Sequence, residues 1–352
     1  MATKRLIEPI VLMCSERSGS NLITRIFDAH PKVAAPGASH LFRVFSELAC
    51  RYRDQEEDLR VDLLEIFGAK LGVWLIDMLP RQELRDLLNI HESAAEMIAA
   101  LMEAERKLAG KAYFFVKELS IYHFIPFIES VSFGSRYVFM VRDPRDMALS
   151  WHNAAVLRGG VVHAAKRWME DQEGFMKVLS WMSNTHPVAV LTYEALVSRP
   201  EETLRKVCAE LRLDFHPHML DFNNHSRSAN VDSSRAKILE NISRPLMRDN
   251  FGKFHSGLND DQLAYIEAFC GPLMAAFGYH KARPKDSPPF GRFESFELLK
   301  TALMKEEPWD KRQYMDLSAD ERIRAERWTA LHSRLRQRSW PQFHKIKPAN
   351  KL

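Results

Sequence analysis

An α/β fold, built on a parallel sheet covered by helices on both faces, follows from three features of the sequence. Apolar runs of strand length recur at Pro9–Cys14, Ala112–Val116, Tyr137–Val141 and Val188–Leu191. These runs are continuous rather than alternating, as in strands buried on both sides. Segments of helical period lie between them, and alternating strands and helices build parallel sheets.

The first strand, Pro9–Cys14, leads through a short polar loop into a helix at Leu22–Ala29. A long, mostly helical insertion covers about residues 41–108 and precedes the second strand. The strand Tyr137–Val141 runs into a helix at Asp143–Asn153, where Asp143 can cap and Pro144 fits the first turn. A longer helix at Gly160–Met182, the last strand, and helices at Ser198–Leu211 and Asp260–Phe277 complete a first domain, residues 1–280. Pro284, Pro288 and Pro289 mark a linker within Ala282–Gly291, and a basic, mostly helical C-terminal extension, residues 281–352, follows. In it Ser318 and Glu321 read as a capping box opening a helix to Arg338, with Ile323, Arg327, Trp328, Leu331 and Leu335 on one face.

Composition narrows the class. Of 352 residues, 46% are hydrophobic and 27% charged, as in ordinary globular chains. No run is long and apolar enough for a membrane span, and the start, with Glu8 and Pro9 inside its apolar stretch, reads as a strand rather than a signal peptide. The net charge of +4 is uneven: residues 281–352 hold 17 Lys/Arg and 10 Asp/Glu, leaving 33 and 36 for the rest. A globally basic nucleic-acid binder is therefore not expected. Cys14, Cys50, Cys208 and Cys270 are scattered, which suits free thiols in a reducing, cytoplasmic setting. His216 and His218 flank Pro217 without an apparent third ligand, so no metal is expected.

The loop Ser15–Asn21 after the first strand carries the first chemical signal. Gly19 lets the backbone turn, the exposed N–H groups of the following helix attract an anion, and Arg17, Ser18, Ser20 and Asn21 add charge and donors. It lacks GxxxxGK[ST], which counts against ATPases and kinases. The second signal is Arg142 at the carboxyl end of the strand Tyr137–Val141, with Ser150 two turns into the next helix. Ligands of open α/β sheets bind at that edge, and a guanidinium with a hydroxyl can grip a phosphate there. The plain structural alternative makes Arg142 a salt-bridge partner of Asp146.

With both motifs in hand, the sequence resembles the sulfotransferases that use PAPS (3′-phosphoadenosine 5′-phosphosulfate). Arg17-Ser18-Gly19-Ser20-Asn21-Leu22 is similar to the family loop holding the donor's 5′-phosphosulfate, with Asn21 replacing a commoner Thr. Arg142-Asp143-Pro144-Arg145-Asp146-Met147-Ala148-Leu149-Ser150 is similar to the motif holding the 3′-phosphate. The resemblance runs from about Pro9 to Tyr279. It implies a P-loop-like fold, adenine contact by Tyr193, and 3′-phosphate contact by Lys253, with Arg248 nearby.

The implied reaction is in-line transfer of a sulfuryl group from PAPS to a hydroxyl or amine, leaving PAP and needing no metal. Arg17 would stabilise the leaving oxygen, and a general base must take the acceptor proton. His40 follows a strand-end loop and is the first candidate. Glu118 stands where relatives carry a catalytic His, and His123 lies a little further along. Lys117 would assist at the sulfate or pair with Glu118. Trp74, Trp168 and Trp181 would line an acceptor cleft or pack in the core. Glycan, lipid head group, small molecule and peptide acceptors all stay open, as does homo-oligomerisation. The extension would pack on the body, frame the acceptor cleft or touch an anionic membrane surface. The competing functions are a nucleotide- or anion-binding module without transfer and a P-loop kinase.

Overall fold

The computed structural model describes residues 6–52, 55–70, 72–154, 157–227, 244–309 and 319–338, and not the side chains of 320, 321 and 324. Five strands form one parallel sheet in the order β2-β3-β1-β4-β5. They are β1 (Pro9–Cys14), β2 (Val33–Ala34), β3 (Tyr113–Lys117), β4 (Arg136–Val141) and β5 (Val188–Thr192). Four match the expected runs. The two-residue β2, which pairs with Tyr113 and Phe114, is too short to leave a sequence pattern.

Successive residues of a strand face opposite sides, and here both sides are apolar. Val11, Met13, Phe114, Val116, Phe139 and Val141 enter one hydrophobic cluster. Ile10, Leu12, Phe115, Val138 and Met140 enter the other. The second face is covered by α1 (Ser20–Asp28), and later by α9 (Tyr193–Ser198), α10 (Pro200–Glu210) and α11 (Phe222–His225). The insertion contributes α2 (Leu41–Leu48), α3 (Glu56–Gly68), α4 (Arg81–Asn89) and α5 (Ala94–Leu108), all on the first face. There they join α6 (Ile125–Glu129), α7 (Pro144–His152), α8 (Gly160–Met182), α12 (Phe254–Gly257) and α13 (Asp260–Ala276). Capping fixes several starts: Asp143 accepts from the Arg145 N–H at α7, and Asn259 with Gln262 forms a capping box at α13.

The C-terminal region packs on this same first face. α14 (Phe296–Glu306) buries Leu299 and Leu303 against α8 and α13. The proline-bearing stretch before it is tied to α13 by Arg283 and Arg292, which pair with Asp260 and Asp261. α15 (Ala319–Arg336) lies on α2 and α3, with Leu335 buried and Trp328 and Leu331 half-buried. Ile323, expected on the apolar face, is 62% exposed. Ser318 and the Glu321 side chain lie outside the described residues. Arg334 pairs with Asp62 and Glu65, Arg338 with Asp58 and Asp62, and Arg336 with Glu47. These three arginines therefore neutralise carboxylates of the insertion.

Candidate active site

The carboxyl ends of β1, β3 and β4 deliver the two motifs to one place. After β1 the chain turns through Arg17, at φ 63°, and Gly19, at φ 90°, before α1 begins. A Cβ on Gly19 would lie 2.4 Å from Tyr193 Cδ2, so only glycine allows the Tyr193 ring to close against the loop. Arg142, at the end of β4, donates from Nη1 to the Arg17 carbonyl oxygen at 2.8 Å, and its guanidinium lies 4.4 Å over the Tyr193 ring. Arg17 Nε donates to Ser150 Oγ at 3.1 Å. Each motif thus holds the other.

A cavity of about 510 Å³ opens between them. Arg17, Gly19, Ser20, Asn21, Leu22, His40, Arg142, Ser150, Tyr193 and Lys253, all singled out from the sequence, line it. Two others do not. Ser18 is fully buried beneath the loop, and Glu118 sits behind His40. Arg248 is exposed and away from the lining, and His123 faces a neighbouring cavity. Trp74 and Trp168 are core residues rather than cleft walls; their indole N–H groups donate to the carbonyls of Gly37 and Arg142. Trp181 is 59% exposed in a separate groove.

The lining also includes residues the sequence did not single out: Arg25, Asn250 and Glu16. Asn250 Nδ2 donates to the Tyr193 hydroxyl at 2.7 Å. Asp146 does not pair with Arg142. It accepts instead from the backbone N–H groups of Gly252 and Phe254, which pins the loop bearing Asn250 and Lys253 over the cavity. Arg145 is structural: it is buried, bonded to Asp143 and Glu267, and stacked on Phe254.

The electrostatics favour an anion. Arg17, Arg25, Lys117, Arg142 and Lys253 all line the cavity. Burial pulls the Arg17 guanidinium below its ordinary range, with Arg142 adding repulsion. Burial, and then Arg25, do the same to the Lys117 ammonium, which donates to Asn21 Oδ1 at 2.6 Å. A bound anion would relieve both. Ser20, Asn21 and Leu22, the first turn of α1, line the same space, and a helix N-terminus favours an anion.

His40, at φ 60° just before α2, has its Nδ1 3.4 Å from Glu118 Oε2. Glu118 also accepts from Ser39 Oγ at 3.3 Å. Among the described residues neither Nδ1 nor Oε2 makes a hydrogen bond, so the pair is an electrostatic contact; a carboxylate on that side favours a proton on Nδ1 and leaves Nε2 as the free nitrogen. A second cavity of about 540 Å³ adjoins the first, and both are bordered by Glu16 and Leu119. Phe124, Phe127 and Trp151 form its apolar walls, with the Arg167–Asp171 ion pair alongside.

A cation-lined cavity beyond the carboxyl edge of a parallel sheet is where open α/β proteins bind their ligands, and its charge suits an anion. The chain belongs to the sulfotransferase family, whose sequence profile matches residues 9–217. Two solved structures are similar. One is the sulfotransferase domain from the Synechococcus PCC 7002 olefin synthase, 19% identical with a TM-score of 0.59, covering 78% of this chain and 96% of that domain. The other is the sulfotransferase domain from the curacin biosynthetic pathway, 17% identical with a TM-score of 0.58, covering 79% and 99%. At such identities the likeness is one of fold. No curated protein matches the chain. Among the described residues, no helix is long and apolar enough to cross a membrane, and no group of three or more His, Cys, Asp or Glu could hold a metal ion.

Proposed function

We propose that this sulfotransferase takes PAPS as donor and transfers its sulfuryl group directly to a hydroxyl or amine. The observation that carries the reading is the convergence of Arg17, Lys117, Arg142 and Lys253 on one cavity bounded by the Arg17–Leu22 loop and by Ser150. Such a lining suits two phosphate-sized anions and an aromatic group at Tyr193, which a 3′-phosphorylated nucleotide carrying a 5′-phosphosulfate would supply.

In this reading the α1 N-terminus, Ser20 and Asn21 hold the 5′-phosphosulfate. Arg142, Ser150 and Lys253 hold the 3′-phosphate. The acceptor oxygen or nitrogen forms a bond to sulfur as the bond from sulfur to the bridging phosphate oxygen breaks. Arg17 and Lys117 stabilise the charge on that departing oxygen, and His40 Nε2 receives the acceptor proton. Glu118 orients His40 and balances the imidazolium. The acceptor occupies the 540 Å³ chamber, from which it meets the donor past Glu16 and Leu119.

A binding module without transfer would have no use for a cavity-lining histidine backed by a carboxylate, and the loop lacks the lysine a P-loop kinase needs. Thermal melting separates the three. PAP at 100 times its Kd should stabilise the protein by about 2.7 kcal/mol, and ATP with Mg²⁺ should do far less. Equal stabilisation by ATP with Mg²⁺ would favour the kinase. PAP binding without labelled sulfate passing from PAPS to any molecule of a cell extract would favour the binding module.

A further inference from the structure

His40 has a third neighbour besides Glu118 and the cavity. The indole of Trp328, on the C-terminal helix α15, stands edge-on to its imidazole with ring centroids 5.6 Å apart. Edge-to-face pairs of this separation are attractive and orientation-specific. His40 needs such support, because it is a non-glycine residue in the left-handed region at the entry to α2, where the backbone alone holds it at a cost.

α15 is firmly seated. Arg334 and Arg338 grip carboxylates of α3, and Arg51 donates to the carbonyl oxygens of Arg336 and Arg338. Asp62, the shared acceptor of both arginines, also accepts from the Tyr52 hydroxyl at 2.8 Å, and Leu335 is buried beneath. This anchoring places Trp328 within about two turns of a fixed point. The indole therefore bears on His40 from a rigid support, and the same imidazole has the buried Glu118 carboxylate beside its Nδ1.

We propose that α15 buttresses the active site from behind His40 and that Trp328 is a positioning residue, which holds His40 beside Glu118 with Nε2 free for the acceptor. The inference rests on the reading of His40 as the base in sulfuryl transfer. The apolar face and arginines of this helix thereby serve catalysis rather than membrane contact.

Two measurements on the full chain test it. The first is carbethoxylation of His40 by diethyl pyrocarbonate, followed peptide by peptide by mass spectrometry. Trp328→Ala should raise the His40 rate several-fold. Trp328→Phe should stay near the wild-type rate, and so should Ile323→Ala on the exposed side of the same helix. The second is release of labelled sulfate from PAPS with water as acceptor. There the water oxygen bonds to sulfur, the bridging bond breaks, and the water proton passes to His40. Trp328→Ala should lower kcat about ten-fold through misplacement of the base, with KM for PAPS and the melting temperature nearly unchanged, and Trp328→Phe should restore most of it. An unchanged His40 rate in Trp328→Ala, with normal PAP binding, overturns the inference alone. Loss of PAP binding by the intact wild-type chain would instead remove the reading on which it rests.

Discussion

Arg142 Nη1 donates to the carbonyl oxygen of Arg17, so the residue that ends β4 braces the backbone of the loop that follows β1. The brace acts where Arg17 adopts a left-handed conformation that a residue with a side chain seldom takes. In the proposed reading Arg142 therefore has two duties, one to the donor and one to the loop. Ser150 contacts the same arginine loop through the Arg17 side chain. Ser150→Ala should weaken PAP binding by about 1.5 kcal/mol, one charge-assisted hydrogen bond at the lower end of the range. Arg142→Ala should cost at least about 3 kcal/mol, since it also frees the loop. Calorimetric titration of PAP checks both, and equal losses would mean that the brace contributes nothing.

The His40–Glu118 pair predicts a graded response. His40→Gln should reduce turnover by about two to four orders of magnitude with PAP affinity intact. Glu118→Gln should fall between wild type and that variant, because a buried amide keeps the shape of the contact beside Nδ1 but no longer balances the imidazolium. If Glu118→Gln were the more damaging of the two in steady-state assays, Glu118 itself would be the base.

Lys117 predicts a pH dependence of donor binding. Its ammonium is held below the ordinary range in the free protein, by burial first and by Arg25 second. An anion nearby favours the charged form and raises that pKa. Protons should therefore be taken up when PAP binds, and affinity should be greatest below the free-state pKa of Lys117. It should then decline as pH rises through that value. Titrations in buffers of different ionisation enthalpy measure the uptake. Lys117→Met should abolish it, and a profile that is identical in the variant would assign the protons elsewhere.

Gly19 predicts a steric effect. Alanine there would combine a φ of 90° with a Cβ 2.4 Å from the Tyr193 ring. The strain alone is worth about 1–3 kcal/mol, and the ring must also move. Gly19→Ala should therefore lower both the melting temperature and PAP affinity. In the double variant Gly19→Ala, Tyr193→Ala the loss of melting temperature should be smaller than the sum of the two single losses, because the ring clash is removed, while affinity stays low. Strictly additive losses would place the damage in the loop rather than in the ring contact.

The sequence showed what is periodic or locally encoded. The strands stood out because both faces of the sheet are buried, leaving Val11 and Leu12 equally apolar. The Arg17–Leu22 loop and the Arg142–Ser150 segment stood out because each is contiguous. Residues whose role depends on folding were hidden. Asn250 matters only because Asp146 draws its loop over Tyr193. Arg25 looks like any helix arginine until α1 is set beside Lys117. Glu118 and His40, rivals as separate residues of the sequence, are partners at 3.4 Å in space. The basic charge of the extension was plain in the sequence, but not the carboxylates of α3 that receive Arg334 and Arg338.

Arg51 and the carbonyl oxygen of Arg336 that it contacts are 285 residues apart, nearly the whole chain. A polypeptide emerging from the ribosome can complete the sheet once β5 is out, yet Lys253 and then Trp328 are still to come. Donor affinity should accordingly arise late in synthesis, and an ordered base later still. Closing loops of such length is slow compared with forming the local helices. Refolding from denaturant should therefore show helical signal returning first, PAP binding second, and the slow protection of His40 last. A newly made chain would in that case bind its donor before it could spend it.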